Sequence, residues 1–209
     1  MLDKRCVIFA AGDFNGTFNK KDGDYLIAAD AGFHHLEKMN ICPDLLLGDF
    51  DTIGEIPKHA NIISFNPEKD NTDTELALIE GISRGFSKFL ICGATGGKRL
   101  EHTIANLTLA ASYAEKGYDI ILTDGEYIIK ALHNGVYTLP KEASGFISVF
   151  SISGKAEGVT ISGLKYPLTD AVLDSSNPTL GVSNEFIGEE AKISVSNGTL
   201  IILWKNVKN

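Results

Sequence analysis

The chain has 209 residues, 44% hydrophobic and 22% charged, enough for one large domain or two modest ones around a real core, which excludes a disordered polypeptide. A net charge of -8 and a pI near 5.1 argue against a nucleic-acid groove, which needs clustered Lys and Arg, so partners are expected to be small and metal-bridged, or cationic. No stretch approaches the length of a membrane span, and Met1 to Arg5 lead into a strand-like run without the apolar core of a secretory signal, so no membrane association is expected. Cys6, Cys42 and Cys92 are odd in number and lack paired spacing; a reduced cytoplasmic setting is expected, with all three as packing residues.

Up to about Asp124 short aliphatic runs alternate with helical patterns, the mark of a mostly parallel sheet flanked by helices. The first strand is expected at Cys6 to Ala10 and the second at Tyr25 to Ala29, ending on Asp30. His34 and His35 are neighbours in a helix, so their side chains diverge; His59 and His133 read as surface residues. The third strand, Leu45 to Leu47, runs into Gly48-Asp49-Phe50-Asp51, and the fourth, Ile62 to Phe65, precedes Lys69-Asp70-Asn71-Thr72-Asp73. A helix then begins near Thr72, where Thr72 and Glu75 form a capping-box pair, and carries Leu76, Ile79, Ile82 and Phe86 at helical spacing. The strand Phe89 to Cys92 is joined by Gly93-Ala94-Thr95-Gly96-Gly97-Lys98-Arg99 to a helix from about Glu101 to Lys116, with Ile104, Leu107, Ala111 and Ala114 on one face and Gly117 as its stop. Ile120 to Leu122 is the last strand of this half.

From about Gly135 the texture becomes β-rich and punctuated by Gly, Ser, Asn and Pro, with runs at Val136 to Leu139, Phe146 to Ile152, Gly158 to Leu164, Gly181 to Ile187 and Lys192 to Trp204. Such spacing predicts an antiparallel sandwich or small barrel, with Ser196-Asn197-Gly198 splitting the last run into a hairpin. The expected organisation is an α/β domain over 1–130 followed by an all-β sandwich over 131–209.

Asp49 and Asp51, at i and i+2 where a buried strand gives out, project together into the crevice at a sheet edge; a lone Asp-x-Asp there is more often a capped turn. Asp70 and Asp73 close the next strand, and Asp30 the preceding one, so a parallel sheet brings all of them to one edge, where carboxylates suit a hard cation such as Mg²⁺ shared with phosphates. The glycine turn feeding a helix N-terminus is expected to cradle an anion, with Lys98 and Arg99 as charge partners and His102 within reach in the first helical turn. Its spacing is neither that of a P-loop nor that of a dinucleotide fingerprint.

In this order the clusters resemble the thiamine pyrophosphokinase family, through Ala29-Asp30-Ala31-Gly32, Gly48-Asp49-Phe50-Asp51-Thr52, Lys69 to Asp73, Gly93 to Gly97 through His102, Gly163-Leu164-Lys165-Tyr166 and Gly181-Val182-Ser183-Asn184-Glu185. The resemblance implies diphosphoryl transfer from ATP to thiamine, and a homodimer binding thiamine between the α/β domain of one subunit and the sandwich of the other. It implies Mg²⁺ and phosphate contacts at Asp49, Asp51 and Asp73, with Asp30 and Asp70 beside them, and ATP contacts from Thr72, Gly93, Thr95, Gly96, Gly97, Lys98, Arg99 and His102. Arg99 joins Asp49, Asp51 and Asp73 as a catalytic candidate, and Tyr166, Ser183 and Asn184 fall at thiamine-contacting positions. The chain departs from the family pattern in having Lys98 as an extra residue and Glu101 in place of Asp, so either Lys98 or Arg99 would meet the phosphates. Two other readings stand beside it: a Mg-dependent haloacid-dehalogenase-like phosphatase, which shares the Asp-x-Asp strand end, and a non-catalytic nucleotide- or vitamin-binding regulator.

Overall fold

The structure is a computed structural model and describes residues 4–50, 61–66, 68, 70–152 and 154–205. It is a sheet-rich α/β fold with few helices. By internal packing the chain divides into two units, Met1–Asn106 with Leu122–Gly125, and Leu107–Ile121 with Glu126–Asn209.

Among the described residues the first unit is built on five parallel strands: β1 (Cys6–Phe9), β2 (Tyr25–Ala29), β3 (Leu45–Gly48), β4 (Ile62–Ser64) and β5 (Lys88–Cys92), in the order β5-β1-β2-β3-β4. All four β1 residues are fully buried, as are Leu26, Ile27 and Ala28 of β2, because a parallel strand covered on both faces needs a continuous apolar run. Phe9 anchors one side with edge-to-face contacts to Phe14 and Phe18 at 5.4 and 5.3 Å. The register places Ala29 opposite Leu47, so Asp30 and Gly48 follow at neighbouring strand ends.

Two helices of this unit, α1 (Phe33–Lys38) and α2 (Asp73–Ser83), connect the strands. The α2 stripe differs from the expected one. Thr74, Ala77, Leu78 and Gly81 are buried, whereas Ile79 is 42% exposed. Small residues explain the rotation: a Cβ on Gly81 would lie 2.6 Å from Phe89 and 2.9 Å from Cys6 Sγ, so the helix approaches the sheet where its side chains are smallest. The division between units runs through α3 (Leu100–Glu115) and β6 (Asp119–Thr123). Ala111 and Ala114 of α3 are buried as expected, but Ile104, on the same face one turn from the N-terminus, is 57% exposed.

The second unit is antiparallel, with β7 (Tyr127–Leu139), β8 (Phe146–Ser151), β9 (Ala156–Ser162), β10 (Leu168–Leu173), β11 (Asn184–Glu185) and β12 (Ala191–Lys205). β12 is its spine: it pairs with β7 along its length, with β9 through its first half and with β8 through its second. Leu139, Val149, Val159, Ile193, Leu200 and Ile202 are among the core residues. The hairpin expected at Ser196-Asn197-Gly198 is absent. Val195 pairs with Gly135 and Thr199 with His133, so three residues oppose Asn134 alone and the strand continues through a bulge. Asn134, at φ 40°, closes the bulge by accepting the Gly198 amide at 2.9 Å. Residues 127–135, expected as a boundary, are strand, and β10 lies in a stretch for which no strand was expected.

Among the cysteines, Cys6 and Cys92 are buried as expected, but Cys42 is exposed, donating to the Pro43 carbonyl at 3.6 Å. His133 is half-buried rather than a plain surface residue: its Nδ1 donates to the buried Thr199 hydroxyl at 2.9 Å, which donates in turn to Glu115 at 2.7 Å.

Candidate active site

Two of the carboxylates expected at the sheet edge follow neighbouring strands directly, Asp30 after β2 and Asp49 after β3. Asp30 opens a 3-10 turn, Asp30–Gly32, directly after β2; it is 7% exposed and sits at φ 46°, a left-handed conformation uncommon for any residue but glycine. Gly48 lies against it, since a Cβ there would stand 3.1 Å from Asp30 Cβ and 3.2 Å from its Cα. A side chain at Gly48 would push these two strand ends apart by a few tenths of an ångström. Asp49 follows, half-buried, and then Phe50 at φ 60° with its ring in the core beside Val7, Phe9 and Leu46. Left-handed non-glycine residues at two neighbouring strand ends are the kind of backbone strain that collects where side chains must be aimed. Asp51 and Thr52 lie outside the described residues, as does Lys69.

Asp70 is exposed, and Asp73 is the first residue of α2. Thr72 caps that helix, its Oγ1 accepting the Glu75 amide at 3.2 Å. Among the described residues no three His, Cys, Asp or Glu side chains are grouped closely enough to hold a metal ion. The donors offered by Asp30, Asp49, Asp70 and Asp73 are nevertheless all carboxylate oxygens, with neither Cys nor His among them, which fits a hard divalent cation.

The glycine turn is tied down from several sides. Gly93, at φ 68°, donates its amide to the Thr123 carbonyl at 2.9 Å and accepts from Gly12 N–H at 2.8 Å. Thr95 donates its hydroxyl to Asp124 at 3.3 Å, and the buried Asn106 of α3 donates to the Ala94 carbonyl at 2.7 Å. The Gly96 amide donates to the Thr103 hydroxyl at 3.0 Å, and the Gly97 amide to Asp13 Oδ2 at 2.8 Å. The amides of Gly93, Gly96 and Gly97, which the sequence offered as an anion cradle, are therefore occupied within the protein. Asp13, on the loop after β1, is a site-region residue the sequence reading did not single out; Ala10-Ala11-Gly12-Asp13 closing the first strand was the available signal.

Lys98 and Arg99 are exposed beyond the turn, and Arg99 Nε donates to Glu101 Oε1 at 2.8 Å. That bond and the charge of Arg99 hold the Glu101 carboxyl below its ordinary value. His102 is half-buried in the first turn of α3, its amide donating to the Arg99 carbonyl at 3.0 Å.

In the second unit the structure brings Tyr166 and Asn184 together. Tyr166 is 58% exposed, whereas Asn184 is 2% exposed and spends its carboxamide on its neighbours. Its Oδ1 accepts the Tyr166 and Glu185 amides, each at 2.9 Å, and its Nδ2 donates to the Tyr166 carbonyl at 2.7 Å. Asn184 thus fixes the backbone that presents the Tyr166 ring. Lys165 adds an ion pair to Glu185 at 2.6 Å, with its ammonium 5.7 Å from that ring. Ser183, exposed at φ 56°, donates its amide to Ser148 Oγ at 3.0 Å.

A parallel sheet with aspartates following two of its strands, and a glycine turn leading from another into a helix, has the layout of proteins that hold phosphorylated substrates for group transfer. Comparison with known proteins narrows that class. Residues 19–122 match the thiamin pyrophosphokinase catalytic domain, and residues 136–200 match the thiamin pyrophosphokinase vitamin B1 binding domain. A thiamine pyrophosphokinase of Bacillus subtilis is 32% identical over 184 residues, covering 85% of each chain. The crystal structure of thiamine pyrophosphokinase from that organism superposes with a TM-score of 0.84 at 28% identity, over 98% of this chain and 100% of the other. A thiamin pyrophosphokinase family protein from Enterococcus faecalis gives 0.81 at 30% identity, with the same coverage. The chain belongs to the thiamine pyrophosphokinase family.

Proposed function

We propose that this protein transfers the diphosphoryl group of ATP to the hydroxyl of thiamine, giving thiamine diphosphate and AMP. The observation that carries the reading is that similarity to both domains of one family extends over the chain. On this reading residues 1–130 form the ATP- and Mg²⁺-binding catalytic domain and residues 131–209 a β-sandwich that binds thiamine, the protein working in the cytoplasm as a homodimer with thiamine bound between subunits. Asp49, Asp51 and Asp73, supported by Asp30 and Asp70, would hold Mg²⁺, which when bound neutralises phosphate charge.

The chain's own residues supply positioning and charge. Phosphoryl chemistry asks for little else, because the reacting groups must be held in line while charge on the phosphate oxygens is balanced. Thr72, Thr95, Lys98, Arg99 and His102 face the nucleotide in this proposal, with Gly93, Gly96 and Gly97 shaping the turn beneath it. Since the glycine amides are engaged internally, the side chains of Lys98 and Arg99 are the expected phosphate contacts, and Arg99 is the one already braced by Glu101. The thiamine hydroxyl attacks the β-phosphorus and AMP departs. Tyr166 presents a ring on which the thiamine pyrimidine stacks, with Ser183 beside it.

The phosphatase reading is not favoured: Asp49 follows β3, with two strands before it among the described residues, and the matched domains are those of thiamin pyrophosphokinase. The regulator reading is set aside on the same family match. Incubation with thiamine, ATP and Mg²⁺ should yield thiamine diphosphate, and Asp51→Asn should abolish this without unfolding the protein. Phosphate release without thiamine diphosphate would overturn the reading.

A further inference from the structure

Asp13 is bound into the glycine turn more thoroughly than an exposed loop aspartate has any general reason to be. Its amide donates to the Thr95 carbonyl at 2.8 Å, pairing the two residues in an isolated antiparallel bridge, and its Oδ2 accepts the Gly97 amide at 2.8 Å. The fit is close enough to dictate the neighbouring sequence. A Cβ on Gly96 would stand 2.3 Å from Asp13 Oδ2, and one on Gly12 would stand 2.5 Å from both the Gly93 and Thr95 carbonyls. The loop that carries Asp13 is itself fixed, since His35 Nε2 donates to the Gly12 carbonyl at 2.8 Å and Asn15 N–H to the Asp124 carbonyl at 2.8 Å.

We propose that Asp13 is a positioning residue for the nucleotide: its carboxylate clamps Gly96-Gly97 so that Lys98 and Arg99 are presented at the start of α3. The inference deepens the diphosphotransferase reading above and rests on it. A carboxylate beside a phosphate site repels the substrate, so its presence requires a compensating role, and holding the turn that carries two cations is that role. The clamp needs an acceptor at Oδ2 but not a negative charge, which separates it from a purely electrostatic effect.

The test compares Asp13→Ala and Asp13→Asn with the wild type. Asp13→Ala leaves the Gly97 amide without its acceptor; KM for ATP is expected to rise roughly fivefold, the equivalent of one ordinary hydrogen bond, with KM for thiamine and the melting temperature unchanged. Asp13→Asn keeps an acceptor oxygen and is expected to stay within about twofold of wild type. Hydrogen exchange across Gly93 to Arg99 should accelerate in Asp13→Ala and be restored in Asp13→Asn. Tighter ATP binding in Asp13→Ala would mean that Asp13 only blocks an amide meant for phosphate, and would overturn the proposal. Unchanged exchange, or an equal rise in both KM values with a lower melting temperature, would overturn it too. Failure of the wild type to turn over would count against the diphosphotransferase reading alone, since exchange and ATP titration by calorimetry still report on the clamp.

Discussion

Gly32 offers a strict test of how closely the first acidic strand end is built. It is the last residue of the 3-10 turn that begins with Asp30, at φ -57°, a backbone conformation alanine adopts freely, so Gly32→Ala introduces no backbone strain. The space is the obstacle: the added Cβ would fall 1.9 Å from the Phe9 carbonyl oxygen, 2.5 Å from its carbon and 3.0 Å from Ala10 N. All three are main-chain atoms at the end of β1, so no side chain can swing aside, and the turn must move from the strand by about 1 Å to restore a tolerable contact. Overpacking of this kind costs about 1–3 kcal/mol, and a displacement of about 1 Å in a reacting group's support can cost about a hundredfold in rate. Urea midpoints and steady-state turnover should both be measured, with Gly85→Ala as control. Nothing lies within 4 Å of a Cβ at Gly85, so only its φ of 86° is penalised there; stability should fall by about 1 kcal/mol with turnover intact. Wild-type stability and turnover in Gly32→Ala would refute the claim that this close approach sets the position of Asp30.

Thiol labelling should distinguish the cysteines. Burial pushes the Cys6 and Cys92 thiols up to about 12, so in the folded protein a thiol reagent at neutral pH should modify Cys42 alone, and all three only after denaturation. Acid stability should depend on Asp24. Burial raises its carboxyl, but the Arg5 guanidinium at 2.7 and 3.0 Å and the Lys21 amide at 2.9 Å outweigh that and hold it below its ordinary 3.8. A carboxyl depressed by folding contributes stability above its unfolded value and loses it as pH falls through the folded one. Asp24→Asn should therefore lower stability at neutral pH and flatten the loss below about pH 4, as followed by urea midpoints across that range. A parallel acid limb in both proteins would contradict this.

What was legible in the sequence was what local pattern determines. Cys6 to Phe9, Tyr25 to Ala29 and Leu45 to Leu47 are continuous apolar runs because parallel strands are covered on both faces, so their ends, and with them Asp30 and Asp49, could be placed by reading alone. The α2 stripe was misplaced because large aliphatic residues draw attention that belongs to Ala77 and Gly81, whose smallness lets the helix approach the sheet. Ser196-Asn197-Gly198 has turn chemistry, yet β7 and β9 pair with β12 around it and convert the turn to a bulge; tertiary pairing overrode the local signal. The Asp13 clamp was out of reach for another reason. Its partner Gly97 lies 84 residues away, and nothing in an isolated aspartate after a strand marks which amide it will accept. The carboxamide of Asn184 is likewise spent on the Tyr166 backbone, a use that its place in the motif did not announce.

The central claim is the transfer of two phosphoryl groups in one step to thiamine. Phosphorus NMR of a reaction containing the protein, thiamine, ATP and Mg²⁺ tests it most directly, because every phosphorus-bearing product is seen at once. AMP and thiamine diphosphate should grow in equal amounts as ATP disappears, with no ADP. ADP with thiamine monophosphate, or inorganic phosphate with thiamine unchanged, would contradict it.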